Sequence, residues 1–233
     1  MKITKTEFQL VNNKFDEYKN KSNKSFEYIQ GKNNILISAP HSVSQCRNGK
    51  IKGKDMCTGT IAITLQKSLN CHCIYKTKNY NDDANYDIEN NTYKDKILEV
   101  IKERNIKFLL DIHGAKNHQG FDIDIGTNNL KTLISQTGYA YDFRKLGKEY
   151  GILNITIDKI FKASTLNTIS NYISEKAEIP CMQIEISKEY RDIENFSKLE
   201  TLLNFLEDYL KRISGKEEKW KNIVIKWKEE MLY

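Results

Sequence analysis

Short apolar runs alternate along the chain with segments whose apolar residues recur every three or four positions. This pattern is typical of strands alternating with helices. The apolar runs predict strands at residues 35–39, 73–75, 106–112, 121–126, 155–157 and 181–186. Helical spacing predicts helices at residues 58–69, 93–104, about 165–176, 196–213 and 216–231, and a further helical stretch between the strands at 121–126 and 155–157. The order favours an α/β domain with a mixed, mostly parallel central sheet flanked by helices.

Two pairings within this sheet are also expected. An apolar patch at 26–29, a Gly-Lys-Asn-Asn stretch and the strand at 35–39 predict an opening hairpin. The strand at 106–112 is the clearest interior strand, and residues 121–126 are expected beside it. No linker or internal repeat divides the chain, so one domain over residues 1–233 is expected. The final helix, which carries both tryptophans, is expected to pack against the sheet.

Composition narrows the classes of protein. An apolar fraction of 39% favours a folded domain, and no apolar stretch is long enough to cross a membrane. The first residues lack the hydrophobic core of a secretory signal, so a cytoplasmic location is expected. The net charge of +6 comes from 37 basic and 31 acidic residues that are interleaved along the chain. Such scatter argues against a nucleic-acid partner.

The cysteines do not indicate a disulfide framework. There are five of them, without a repeating spacing. The triplet Cys71-His72-Cys73 resembles a metal motif, but adjacent strand residues point to opposite faces. We therefore expect ordinary strand packing there, and an ordinary polar role for His118 as well as His72.

Polar residues of a catalytic type fall at the ends of three predicted strands. His41 follows the first strand, His113 ends the strand that carries Asp111, and Glu185 lies in the last strand. In open α/β sheets, active sites lie beyond the carboxyl ends of the strands. These side chains are therefore expected to converge in one crevice.

Two histidines need a third protein ligand to form an open catalytic zinc site. Asp55, just before the helix at 58–69, is the preferred candidate, although it would also suit the first turn of that helix. Asp111 is the alternative. It shares a face of its strand with His113 and could instead hold that imidazole.

Glu185 lies within an otherwise apolar strand. Because a buried, unpaired carboxylate is costly, Glu185 should either pair with a lysine or act as a general acid/base. Asp122 and Asp124 share a face of their strand. They are expected either to line the pocket or to act structurally.

Six segments in order along residues 38–192 resemble the N-formylglutamate amidohydrolase family, as a divergent branch. They are Ser38-Ala39-Pro40-His41, Asp55-Met56-Cys57-Thr58-Gly59, Asp82-Asp83-Ala84-Asn85-Tyr86-Asp87, Leu110-Asp111-Ile112-His113-Gly114, the stretch from Phe121 to Thr127, and Gln183-Ile184-Glu185-Ile186 with Tyr190-Arg191-Asp192. The resemblance implies a zinc carboxypeptidase-like fold and hydrolysis of an amide on an acylated amino acid.

Carried over to this chain, the resemblance implies one zinc ion held by His41, Asp55 and His113, with Glu185 as the acid/base. Aspartate at position 55 gives a shorter ligand arm than the glutamate found as often in the family. Iron, manganese or nickel would suit the same donor set.

Substrates of this class carry a carboxylate, which arginine binds well. Arg47, Arg191 and Asn85 are candidate substrate contacts, as is Asp83, and each would also suit a purely structural role. The expected partner is a small N-acyl amino acid or a short peptide. The alternatives are a metallopeptidase or amidase acting on cell-wall or γ-glutamyl peptides, and a non-catalytic binding protein that retains the fold.

Overall fold

Helices and strands alternate through most of the chain. The structure, a computed structural model, describes residues 3–16, 22–87 and 91–230, with side chains up to residue 215. Its strands are β1 (Phe26–Ile29), β2 (Ile35–Ala39), β3 (Gln45–Arg47), β4 (Lys50–Lys52), β5 (His72–Lys76), β6 (Phe108–Ala115), β7 (Ile123–Gly126), β8 (Ile155–Ile157) and β9 (Cys181–Ser187). Its α-helices are α1 (Lys5–Asn12), α2 (Thr58–Leu69), α3 (Thr92–Arg104), α4 (Gly138–Glu149), α5 (Ile169–Ala177), α6 (Lys188–Arg191) and α7 (Phe196–Glu230).

Seven strands form the central sheet in the order β1-β5-β2-β6-β9-β7-β8. The middle four, β5, β2, β6 and β9, are mutually parallel. Strand β1 is antiparallel to β5 at one edge, and β7 is antiparallel to β9 near the other, with β8 parallel to β7. The predicted mixed, mostly parallel sheet flanked by helices is confirmed.

Alternation along each central strand divides its side chains between two hydrophobic cores, as strand geometry requires. The larger core contains Ile112 and Ile184 of β6 and β9, packed with residues of α2, α4 and α7. The smaller core contains Leu109 and Cys181 of the same strands, packed with residues of α3 and α5. The face of the smaller core becomes polar toward the carboxyl ends of the strands.

Two predicted pairings are wrong. Residues 26–29 pair antiparallel with β5 rather than with residues 35–39, so the expected opening hairpin does not form. Instead β2 lies between β5 and β6 in the middle of the sheet. The segment at 121–126 is not the neighbour of β6, because β9 lies between β6 and β7. Both errors arise because local sequence signals do not encode which distant strand inserts between two others.

Helix α1, the β3–β4 hairpin and the one-turn helix α6 were not predicted. Helix α1 begins with a capping box between Thr4 and Glu7 and buries Phe8. Strands β3 and β4 form a hairpin in the loop between β2 and α2. The hairpin turns through Asn48 and Gly49, which both have positive φ (49° and 73°), as a tight two-residue turn requires.

The chain closes with one helix where two amphipathic stretches were expected. Helix α7 runs unbroken from Phe196 to Glu230, and Leu203, Leu206 and Leu210 bury its inner face in the larger core. The expected packing of the two tryptophans lies outside the described side chains, and residue 231 lies outside the described residues. Among the residues that the structure describes, no helix is both long and apolar enough to span a membrane.

Candidate metal centre

Three side chains meet at the carboxyl edge of the sheet. His41 follows β2, Asp55 precedes α2 and His113 lies in β6. The His41 Nδ1–His113 Nδ1 distance is 3.0 Å. The Asp55 Oδ2 atom lies 3.2 Å from His41 Nδ1 and 3.6 Å from His113 Nδ1. Tetrahedral zinc with bonds of about 2.0–2.1 Å separates its ligand atoms by about 3.3 Å, so the triangle has the size that one such ion requires.

The outer nitrogen of each imidazole is held by its own carboxylate. His41 Nε2 lies 2.8 Å from Asp83 Oδ1, and His113 Nε2 lies 2.9 Å from Asp111 Oδ2. A carboxylate at Nε2 favours the proton on that nitrogen and leaves Nδ1 with a free lone pair. Two imidazole lone pairs and a carboxylate oxygen then face one point, which is an arrangement that a cation stabilises. Asp111 is thus the partner of His113, and Asp55 supplies the third atom of the triangle that could hold a metal ion.

Local hydrogen bonds fix Asp55 in this position. Its main-chain N–H donates to the His41 carbonyl over 2.9 Å, which closes the base of the loop between the two residues. Its carboxylate accepts a hydrogen bond of 3.0 Å from the main-chain N–H of Gly114, beside His113. The carboxylate is therefore tied to both neighbouring segments rather than capping α2, the alternative role that its sequence position suggested.

The carboxylates give the cluster a preference for positive charge. Burial and the neighbouring His113 act to lower the pKa of His41, but Asp55 and Asp83 outweigh them and raise it. Burial also opposes protonation of His113, whose pKa is nevertheless raised well above its usual value, chiefly by Asp111. Burial acts to raise the pKa of Asp55, yet hydrogen bonds from the two histidines hold it far below its usual range. The carboxylates around the two imidazoles therefore favour positive charge at this point, which a bound cation would supply.

Glu185 lies beside this cluster. Its strand neighbour in register is His113 on β6, so the two side chains share a face of the sheet. Glu185 is only 7% exposed, and no lysine or arginine within the described part of the chain forms an ion pair with it. Gln183 Nε2 donates to its Oε1 over 3.3 Å. Burial is the main reason that the pKa of Glu185 is raised to about 7.

The two arginines are engaged with the protein itself. The Arg191 nitrogens donate to the main-chain carbonyls of Ile186 and Ala115, each over 2.9 Å, and to that of Met56. Arg47 Nε donates to the Asp83 carboxylate. Both placements favour a structural role over the predicted contact with substrate.

The remaining predicted residues also make internal contacts. Asn85 Oδ1 accepts a 2.7 Å hydrogen bond from the N–H of Ile169, the first residue of α5. Asp122 accepts one from the N–H of Asn154 over 2.9 Å. Asp124 is fully buried, and its carboxylate accepts hydrogen bonds from the Thr156 hydroxyl and from the N–H groups of residues 159–161. Of the two roles expected for Asp122 and Asp124, these contacts favour the structural one.

Asp55 also lines a cleft of about 580 Å³. Lys52, Lys54, Lys116 and Lys188 line it, together with Arg191 and with Met56 and Phe161 as apolar contacts. Lys116 directly follows β6 and Lys188 directly follows β9, two adjacent strands whose final residues are paired in register. The cleft is therefore strongly cationic, and Asp55 is the one acidic residue among the described residues of its lining.

Several of these residues were not predicted in these roles. The sequence placed Asp83 only as a candidate substrate contact, whereas the structure buries it against His41. The lysines of the cleft were taken as scattered surface charge, although two of them stand directly after strands that carry site residues. The position of Lys116 and Lys188 directly after these strands is the sequence signal that could have placed them near the site.

Within the described residues, one group of three or more histidine, cysteine, aspartate or glutamate side chains lies close enough together to hold a metal ion. It is the cluster of His41, Asp55 and His113. The triplet at 71–73 behaves as expected for strand packing. Cys71 and Cys73 are buried in the larger core, while His72 Nδ1 lies 2.5 Å from the Tyr28 hydroxyl.

The fold is shared with amidohydrolases and metallo-carboxypeptidases of known structure. No family model and no curated protein matches the sequence. The N-formylglutamate amidohydrolase from Ralstonia eutropha matches with a TM-score of 0.58 and 12% identity, over 81% of this chain and 98% of that one. A metallo-carboxypeptidase from Burkholderia cenocepacia matches with a TM-score of 0.52 and 10% identity, over 91% and 70%. A bacteriophage poly-γ-glutamate hydrolase matches with a TM-score of 0.51 and 11% identity, over 85% and 94%. At these identities the matches show a common fold, and they confirm the fold that the sequence resemblance implied.

Proposed function

We propose that this chain is a metal-dependent hydrolase that cleaves the amide bond of an N-acyl amino acid or short peptide. Zinc is the proposed metal, with His41, Asp55 and His113 as ligands. One observation carries the proposal. Three potential ligand atoms converge within 3.0–3.6 Å of one another, and one of them belongs to Asp55, which also lines an open cleft. Beside them lies a buried carboxylate, Glu185, without an ion-pair partner among the described residues.

The chemistry divides between the metal and Glu185. A bound zinc ion supplies Lewis acidity toward the amide carbonyl and lowers the pKa of a water molecule. Glu185 accepts a proton from the attacking water as the new C–O bond forms. It then donates that proton to the amine nitrogen as the C–N bond breaks. A carboxyl group with its pKa raised to about 7 is suited to both transfers near neutral pH.

The cleft supports a substrate that carries a carboxylate. Lys52, Lys116 and Lys188 are exposed, and within the described part of the chain none of them has an ion-pair partner. A cleft lined with one sign of charge concentrates ligands of the opposite sign. The lysines therefore replace the arginines as candidate contacts for the substrate carboxylate.

A second candidate substrate is a γ-glutamyl or cell-wall peptide. The cleft volume of about 580 Å³ lies in the range that holds drug-sized ligands, which gives room for more than one residue. The lining lysines come from three separate segments of the chain, and their number suits several carboxylates. The bacteriophage hydrolase that shares this fold is named for a polymer of that kind. Parallel assays of N-formyl amino acids and γ-linked glutamate dipeptides separate the two candidates.

The proposal is tested by metal content and turnover in the same preparations. Elemental analysis should find about one zinc ion per chain in the wild type and none in the His41→Ala/His113→Ala variant. The wild type should release amine from an N-acyl amino acid or a γ-linked dipeptide. Glu185→Gln should retain zinc and lose turnover by about 10²–10⁴-fold, because it removes general acid/base catalysis. The matched control is Glu189→Gln, which changes an exposed carboxylate that pairs with Lys198.

Each contrary result has a distinct meaning. No bound metal after zinc is added back and the excess removed would contradict the metal site. Near-normal turnover in Glu185→Gln would contradict its acid/base role. Zinc bound without hydrolysis of any substrate in the panel would favour a non-catalytic binding protein that retains the fold.

A further inference from the structure

The β3–β4 hairpin is attached to the segment at 82–87 by consecutive residues. The Cys46 N–H donates to the Asp82 carbonyl over 3.2 Å. The Asn48 side chain donates to the Tyr86 hydroxyl over 3.0 Å. Between these contacts, Arg47 Nε donates to Asp83 Oδ2. The hairpin thus lies firmly against one short stretch of chain.

The Asp83 carboxylate connects the hairpin to the metal centre. While Oδ2 accepts from Arg47, Oδ1 lies 2.8 Å from Nε2 of His41 and accepts the main-chain N–H of Asn85 over 3.0 Å. The Asp83 side chain is completely buried, so both of its oxygens depend on protein donors. Loss of Arg47 would leave one of these oxygens without its donor.

The orientation of Arg47 is fixed on more than one side. Its side chain is only 27% exposed. Its guanidinium lies over the Tyr86 ring, with Cζ 5.2 Å from the ring centroid. A guanidinium that is stacked and paired in this way has lost the freedom with which an exposed arginine reaches a ligand.

We propose that Arg47 is a positioning residue for the metal ligand His41, acting through the Asp83 carboxylate. By fixing Asp83, it holds the His41 ring so that Nε2 carries the proton and Nδ1 faces the metal position. The β3–β4 hairpin must then be seated against residues 82–87 for the metal site to form completely. The inference rests on the proposed metal site and does not depend on which amide is cleaved.

The sign of the effect separates this role from a simple charge effect. Arg47 carries a positive charge near a site for a cation. By Coulomb's law alone, removal of that charge would strengthen metal binding. Loss of a positioning residue predicts the opposite, because partners that orient a metal-bound histidine typically contribute 10–100-fold in affinity.

The test is zinc affinity of the full chain, measured by competition with a chromophoric chelator and therefore independent of turnover. Arg47→Met should bind zinc about 10–100-fold more weakly than the wild type. Arg47→Lys should also bind more weakly, because an ammonium keeps the charge without the planar Nε donor. The matched control is Lys50→Met, which removes the same charge from the exposed cross-strand partner of Arg47 and should leave affinity unchanged.

Thermal melting of the metal-free proteins separates misfolding from mispositioning. If Arg47→Met does not fold, Arg47→Lys carries the test. Zinc affinity equal to or above that of the wild type in a folded Arg47 variant would overturn the inference while leaving the metal site intact. A wild type that binds no zinc would overturn the metal site and, with it, the role of Arg47.

Discussion

At the scale of single residues, Glu185 has an ionisation set mainly by burial, and its pKa is raised to about 7. Its proposed role as a base requires the carboxylate form. We therefore expect kcat/KM to rise as pH increases through a limb at pH 7 or below, since a bound cation favours the charged form. The measurement is a pH–rate profile of the zinc-loaded protein. A limb well above pH 7 would contradict the assignment of this titration to Glu185.

Arg191 is expected to stabilise the fold rather than bind substrate. Its guanidinium bridges the ends of β9 and β6 and the Met56 carbonyl. The ammonium of Arg191→Lys cannot donate to all three carbonyls as the planar guanidinium does. Buried carbonyls are then left without donors, which should lower the free energy of unfolding by about 1–3 kcal/mol. Urea denaturation measures the change. Unchanged stability combined with a raised KM would instead identify Arg191 as a substrate contact.

The convergence of His41 and His113 could be anticipated because each histidine stands at the end of an apolar strand, a position visible in the sequence. Asp83 could not be anticipated in the same way, since it pairs with His41 across 42 positions from a loop without periodicity. The roles of the arginines were also hidden, because the sequence shows a charged group but not which carbonyls or carboxylates surround it.

At the scale of elements, Asp124 ties the segment at 159–161 to β7 through three main-chain N–H groups. Phe161, which forms one wall of the cleft, belongs to that segment. Asp124→Ala should lower the free energy of unfolding by about 1–3 kcal/mol and weaken substrate binding, because buried N–H groups lose their acceptor and the wall loosens.

Urea denaturation and KM together test the role of Asp124. Asp122→Ala is the matched control, since that carboxylate holds the single N–H of Asn154 and should give a smaller effect on both quantities. An Asp124→Ala variant with wild-type stability and KM would show that the segment is held by other contacts.

Elements with a strong local signal lie where the sequence predicted them. The predicted pairing partners of β1 and β7 were wrong. Helix α2 covers Thr58–Leu69, the residues that its apolar spacing indicated. Strand β8 covers Ile155–Ile157, which is also the predicted range. Strand β1 was assigned to the wrong neighbour, because a five-residue spacer to the next apolar run has the length of a hairpin loop. In the structure β1 pairs instead with β5, which begins more than forty positions after the end of β1. Such long-range choices depend on the packing of the whole sheet.

At the scale of the whole molecule, the proposed ligands come from separate parts of the chain, so an unfolded chain cannot present them together. Metal should therefore stabilise the folded state, by about 2.7 kcal/mol when free zinc is 100-fold above its dissociation constant. For a domain of this size, the melting temperature should fall by roughly 5–10 °C when a chelator removes the metal. Calorimetry with and without chelator measures the shift. His113→Ala is the control that should show none, and an equal shift in that variant would place the metal elsewhere.

The division of β6 and β9 between two environments also limits how the sequence can change over evolutionary time. Ile112 stands between Asp111 and His113, and Ile184 stands between Gln183 and Glu185, so isoleucines of the larger core alternate with residues of the polar site. Deletion of one residue in either strand would turn a polar group into the larger core and an isoleucine into the polar site. Folding and chemistry would be lost in the same event. Length variation among descendants of this sequence is therefore expected in the loops, while β6 and β9 change by substitution alone.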